Sequence, residues 1–288
     1  METLRDVCSK GDSYQLETLL SDPSYISVAL GQPPQPRNKR LPPTRPNIQV
    51  LLNLAAEVGH LACVQLLLQF GHSHEVPYDK FVSRWEIFAA LESGENAIIE
   101  EFVKTWPEVV NLDLGHCGQP LLQTIFQDNF ALSTYLLDHG ANVNAICGPD
   151  KRPGRYLRAS AKDRALPYTT LLLQHGAQVA QTGAIRMAAE KGRLDVLRIL
   201  IEHGGDVNER LAPDAGFFNQ KKRHQQASET PLYTATLNGH HDVVVWLLEQ
   251  GADVEIGDLN GKTPITIARE QGDEELLRVL EVKVERGA

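Results

Sequence analysis

TPLYTATLNGHHDVVVWLLEQGADV, Thr230 to Val254, holds a helix start, a turn and a second helix within one short segment. Thr230 is suited to cap a helix, Pro231 stands in the first turn where a missing N–H costs nothing, and Leu232 opens a buried face. Ala235 is small where the first helix meets its partner, and Gly239 can take the left-handed turn between them. Val243, Val244, Leu247 and Leu248 then follow a 3.6-residue period. Gly251 ends the second helix, Ala252-Asp253-Val254 leads into the polar turn Asp258-Leu259-Asn260-Gly261, and Thr263-Pro264-Ile265 starts the pattern again. The segment predicts an antiparallel helix pair that the chain repeats.

These residues resemble the ankyrin repeat, whose TPLHxAA start, turn glycine, apolar second helix and GADVN ending match between Thr230 and Val254 almost position by position. Further copies follow from one rule: the turn glycine and the helix-ending glycine stay as far apart as Gly239 and Gly251. Gly192 with Gly204 and Gly59 with Gly71 obey it. Gln119 to Asn144 places Asp128 in the turn, Arg155 to Val179 places Arg164 there, and Trp85 to Trp106 keeps Gly94 but ends on Trp106-Pro107, where the proline stops the helix. Leu4 to Leu20 and Thr263 to Leu280 resemble end copies with charged outer faces.

The expectation is therefore an all-α ankyrin-repeat solenoid of stacked antiparallel helix pairs with projecting hairpin loops, one domain over 1–288. It has about eight copies, near 1–20, 47–74, 83–113, 116–145, 150–180, 181–209, 228–256 and 257–285. Three insertions, 21–46, 75–84 and 210–227, break the period.

The 288 residues, with 42% hydrophobic and 23% charged side chains, have the composition of a soluble globular protein. No apolar run reaches bilayer length, and Glu2, Arg5 and Asp6 follow Met1 in place of a secretory core, so the expected location is cytoplasmic or nuclear. Cys8, Cys63, Cys117 and Cys147 are widely spaced and read as packed thiols. A net charge of −9 argues against general nucleic-acid binding, which needs clustered Lys and Arg.

A stack of such units works by presenting a surface, so function is sought where copies depart from one another. The first insertion contains GQPPQPRNKRLPPTRPN with Arg37, Lys39, Arg40 and Arg45, expected as an extended spacer or, less suitably spaced, a ligand for a proline-binding groove. The second holds Tyr78 and Phe81 just before Arg84 and Trp85, a mixture of rings and cations like an interface anchor. The third sets Phe217 and Phe218 beside Lys221, Lys222, Arg223 and His224, either as contacts for an acidic partner or as a pair tucked over the neighbouring hairpin. Trp106 and Trp246, on second helices, read as core.

The fourth residue of the TPLH element runs Asn53, Phe88, Leu122, Arg158, Arg186, Tyr233 and Thr266, where the family commonly holds a histidine. Arg158 and Arg186 fall in consecutive copies with Arg155, Lys162, Arg164, Lys191 and Arg193, opposed locally by Asp163, Glu190 and Asp195. This is either a basic centre for a carboxylate, phosphate or acidic peptide, or a solvated face with internal ion pairs. The third copy instead carries Glu86, Glu92, Glu95, Glu100, Glu101 and Glu108, so the two stretches predict different ligands.

No catalytic residues, metal ligands or cofactors are expected. His72/His74, His240/His241 and His116 beside Cys117 lack ligand spacing. His139, His175 and His203 each precede a helix-ending glycine, where a histidine favours the negative end of the helix dipole. No phosphate-binding glycine motif occurs. Asn144 and Asn208 resemble ankyrin asparagines that dioxygenases hydroxylate, but a turn-stabilising role suits them as well. Two functions follow. The first is a non-enzymatic adaptor that binds another protein, one with an acidic segment among the candidates, through Tyr78, Phe81, Arg84, Trp85, Arg155, Arg158, Arg186, Phe217, Phe218 and Tyr233. The alternative is a scaffold diverted to bind or transform a small anionic molecule at the basic centre.

Overall fold

A computed structural model of the chain describes residues 1–31, 45–77, 82–147, 153–164, 166–211 and 229–287. Tyr78, Phe81, Phe217, Phe218, most of the proline-rich stretch and the Lys221–His224 run lie outside them. The described residues form seventeen α-helices and no strand. In order these are α1 Glu2–Lys10, α2 Ser13–Leu20, α3 Pro23–Leu30, α4 Asn47–Glu57, α5 Leu61–Ser73, α6 Arg84–Ser93 and α7 Asn96–Thr105. Two short 3-10 turns, Pro107–Asn111 and Gly115–Cys117, precede α8 Pro120–Phe126 and α9 Phe130–Asp138. Then follow α10 Arg155–Asp163, α11 Leu166–Gln174, α12 Ala184–Glu190, α13 Leu194–Glu202, α14 Pro231–Leu237, α15 His241–Glu249, α16 Pro264–Gln271 and α17 Glu274–Gly287.

The chain divides into two compact units, one of residues 1–124 and 131–141 and the other of 125–130 and 142–288. In the first, α1, α4 and α6 pack side by side as one layer and α2, α5 and α7 as the other. In the second, α10, α12, α14 and α16 form the row of first helices, with α11 against α13 and α15 against α17 behind it. This is the ankyrin arrangement of stacked antiparallel pairs.

Local chemistry explains each start and stop. Thr230 Oγ1 accepts the Tyr233 N–H at 3.1 Å, with Pro231 in the first turn, as its sequence requires. Leu232, Val243, Val244 and Leu247 are fully buried, and each such side chain contributes roughly 1.5–3 kcal/mol of burial. Turn glycines are fixed twice over at Gly11 (φ 72°) and Gly192 (φ 65°). A Cβ there would also lie 2.6 Å from the His60 ring and 2.7 Å from the His240 ring. Those histidines hold Nε2 against the carbonyls of Ser9 and Glu190 in the preceding first helix, so they tie copies together.

Three expectations change. The first insertion opens as a helix, α3, because Asp22 caps it by accepting the Ser24 N–H at 2.8 Å and Pro23 occupies its first turn. Trp106 and Trp246 are half-buried and not core: the first caps α7, the second lies under the Arg198 guanidinium at 5.8 Å. Helix α7 does stop at Thr105, and Pro107 begins a 3-10 turn.

Candidate functional site

The first unit presents an aromatic clasped by cations. Helix α6 begins at Arg84 because Ser83 and Glu86 form a capping box: the Ser83 N–H donates to Glu86 Oε2 at 2.7 Å, and Ser83 Oγ donates to the same oxygen at 2.6 Å while accepting the Trp85 N–H at 3.4 Å. That start leaves Trp85 on the outside, 49% exposed. The Arg45 guanidinium carbon lies over its ring 5.2 Å from the centroid and that of Arg84 5.0 Å. Arg45 is anchored in turn, donating to Asn53 Oδ1 at 2.9 Å and to Glu86 Oε1 at 3.3 Å.

Glu86 is 0% exposed. Burial pushes its carboxyl above the ordinary range, although the Ser83 donors and the Arg45 cation pull the other way. It therefore leaves the acidic face on which the sequence placed it and becomes the support that holds Arg45 on Trp85. Arg84 is exposed and forms no hydrogen bond or ion pair among the described residues, its guanidinium lying over the Trp85 ring.

In the second unit the arginines of the basic stretch are tied to neighbouring carbonyls and carboxylates. Arg158 Nη1 donates to the carbonyls of Pro153 at 2.7 Å and Thr182 at 2.8 Å, and Arg155 Nη1 to Cys147 O at 3.2 Å. Arg186 has a side chain only 12% exposed, 3.0 Å from Glu190 Oε2 and 3.9 Å from Glu229 Oε2. Arg193 clamps Asp195 and donates to Arg164 O, while Lys191 lies 3.6 Å from Glu190. The ion-paired reading of this stretch is the one the geometry fits. An anion would have to displace carbonyls and carboxylates that already hold these guanidiniums.

Glu229 and Glu209 are buried, and desolvation raises both carboxyls. At Asp258 burial also works to raise the carboxyl. Backbone donors from Lys262 and Asn260, with the Asn260 side chain and the Tyr233 hydroxyl, outweigh it and hold Asp258 below the usual range. Tyr233 is 3% exposed and donates its hydroxyl to Asp258 Oδ2 at 3.3 Å, so this residue, named above among partner contacts, has no free surface to offer.

The repeated polar residues serve the stack. Asn144 bridges two hairpins, donating to Gly176 O and accepting from the Gln178 N–H, both at 2.9 Å. Asn208 Oδ1 accepts the Asp253 N–H at 2.9 Å. His139 and His203 hold Nδ1 2.8 Å from the carbonyls of Tyr135 and Ile199 in their own last turns. His241 lies 2.7 Å from Asp273, whose hydrogen bond raises its pKa.

Two members of the Trp85 site escaped the sequence reading. Arg45 was grouped with the proline-rich cations, and no local pattern links it to a tryptophan forty residues on. Glu86 had a signal: Ser83-Arg84-Trp85-Glu86 is a capping box, and its N-cap fixes which side of α6 faces out.

A family model for ankyrin repeats, three copies, matches residues 211–285. Among curated proteins, the potassium channel AKT1 of Arabidopsis thaliana is 34% identical over 97 residues, 34% of this chain and 10% of the channel. Alpha-latroinsectotoxin-Lt1a of Latrodectus tredecimguttatus is 30% identical over 170 residues, 57% of this chain and 11% of the toxin. NF-kappa-B inhibitor alpha of Gallus gallus is 33% identical over 75 residues, 26% of this chain and 23% of the inhibitor. The chain spans less than a quarter of each of these relatives. Among the described residues no helix is long and apolar enough to cross a membrane, and no three His, Cys, Asp or Glu side chains group as a metal shell.

Proposed function

This chain is an ankyrin repeat protein, and we propose that it acts as a non-enzymatic adaptor whose partner docks on the Arg45–Trp85–Arg84 surface. Ankyrin repeats generally mediate protein–protein interaction, and we read this chain as about eight copies, one to each helix pair. The observation that carries the reading is Trp85, half-exposed with the guanidiniums of Arg45 and Arg84 both within 5.2 Å of its ring centroid. Exposed aromatic and arginine side chains are the residue types that dominate interface energies. Arg84 supplies a donor pair for a carboxylate, which favours a partner with an acidic segment. Tyr78 and Phe81, close to Arg84 in sequence, are further candidate contacts in this proposal, and the third insertion, with Phe217 and Phe218, is another.

The test is affinity capture with the full chain and with a Trp85→Ala/Arg84→Ala double variant, using Lys104→Ala as a surface control. Proteins retained by the parent and control but lost from the double variant are the expected result. Identical sets on all three would remove the proposal.

A further inference from the structure

The second unit carries an open groove on its second-helix layer. Counting from the turn glycines shows why it is open. Six residues past Gly192, Gly239 and Gly272 stand Arg198, Val245 and Arg278; seven past the last two stand Trp246 and Val279. Between α13 and α15 the facing pair is Arg198 and Trp246, and the guanidinium lies over the indole at 5.8 Å, roofing the interval. Between α15 and α17 the same two positions are Val245 and Val279. Neither valine reaches across.

The result is a groove of about 450 Å³ lined by Val245, Leu248 and Glu249 from α15 and by Arg278, Val279, Val282 and Lys283 from α17. Val245 is 40% and Val282 43% exposed, so apolar surface faces water along both walls. Val284 stands where Gly251 ends the equivalent helix, and α17 continues to Gly287, carrying the Lys283 end of the wall past the length of α15.

Charge selects the occupant. Both cations lie on the α17 wall, flanking Val279 and Val282. Arg278 pairs with Glu274 at 3.5 Å, but that pair is almost fully exposed and readily exchanged. Lys283 has no ion pair among the described residues. Among the described lining residues Glu249 is the one acid, and it lies on the opposite wall. α15 and α17 are second helices of consecutive copies in direct contact, and a groove between two helices suits a third helix whose ridge of side chains three and four apart drops between them.

We infer that the α15–α17 groove is a docking site for an amphipathic helix of another protein, one that inserts a large aromatic or aliphatic side chain between Val245 and Val279 and sets carboxylates against Arg278 and Lys283. The partner side chain takes the place that Trp246 fills one interval earlier.

Two synthetic amphipathic peptides test this, each with Trp and Leu on one face, one flanked by Glu and the other by Lys, titrated into the full chain. The Glu-flanked peptide binds, and binds more tightly than the Lys-flanked one. Val282→Asp and Val245→Asp each weaken it by about tenfold or more, the loss of an apolar anchor. Arg278→Gln/Lys283→Gln weakens it less and flattens its salt dependence. Val245→Arg/Val279→Trp rebuilds the roof seen at Arg198 and Trp246 and excludes the peptide, while Trp85→Ala leaves binding unchanged. Circular dichroism confirms that each variant is folded. No binding of the Glu-flanked peptide, equal binding of both peptides, indifference to Val282→Asp and Val245→Asp, or a dimer of the chain that Val282→Asp dissolves would each overturn the inference.

Discussion

The Trp85 surface and the Arg158–Arg186 stretch are made of similar residues and behave in opposite ways. Around Trp85 a buried acid, Glu86, holds Arg45 in place, and Arg45 and Arg84 stand against an exposed ring. Around Arg186 the acids Glu190 and Glu229 hold the cation itself below the surface, and carbonyls hold Arg158. Counting charges along the chain makes the second region the better anion site. Acceptors within reach reverse that order, because a guanidinium already matched to carboxylates or carbonyls gains little from a new one.

The sharpest way to break the contrast is Arg186→Met. It leaves Glu229 buried without its cation, and removing one partner of a buried pair costs about 3–5 kcal/mol, so urea unfolding should show a loss near that size. Adding Glu229→Gln should recover part of it. A loss under about 1 kcal/mol, the range of exposed pairs, would mean the stretch is a solvated and available basic face after all. Glu86→Ala should cost about 1–3 kcal/mol, through the unsatisfied Ser83 donors and the lost cap. It should also release Arg45 and shift the Trp85 fluorescence; an unchanged emission spectrum would separate Glu86 from the site.

pH sharpens the same contrast. Burial raises the carboxyls of Glu86, Glu209 and Glu229 above their ordinary 4.5, so the folded chain binds protons more readily than the unfolded one. Stability from these groups is fully present below the ordinary value and is lost as pH rises through the folded one. His241, raised by its hydrogen bond to Asp273, acts in the same direction at higher pH. Asp195 and Asp258, held low, lose their contribution only below the ordinary aspartate range. The unfolding midpoint should therefore rise from pH 7 toward pH 5, and Glu229→Gln should flatten the rise. A steady fall over that interval contradicts the account.

Smaller effects follow. Tyr233→Phe should cost about 1 kcal/mol, one hydrogen bond to an acid that keeps its backbone donors. Arg84→Ala should change stability least, by about 0.5–1 kcal/mol, the scale of an exposed cation–π contact, while reducing partner capture.

The helix pairs were legible because every copy must solve the same local problem. Thr230 and Pro231 start a helix, Gly239 turns the chain and Gly251 ends the second helix by rules that act within a few residues. The Trp85 site was half legible: ring and cation were adjacent in sequence, but Arg45 came from an insertion and Glu86 was mistaken for an exposed acid. The basic stretch stayed open between two readings in the sequence because its neutralising partners are not all local. Glu229 is more than forty residues from Arg186, and the acceptors at Arg158 are backbone carbonyls, which have no letter in the sequence.

What the sequence alone determined is the repeated unit, its capping and its all-helical class, since propensity, capping and apolar period are encoded over one or two turns of chain. What only the tertiary structure decided is which cations are free. Whether Arg84 or Arg186 can receive a partner depends on the acids and carbonyls that neighbouring copies bring within a few ångströms, and that proximity is a property of the stack.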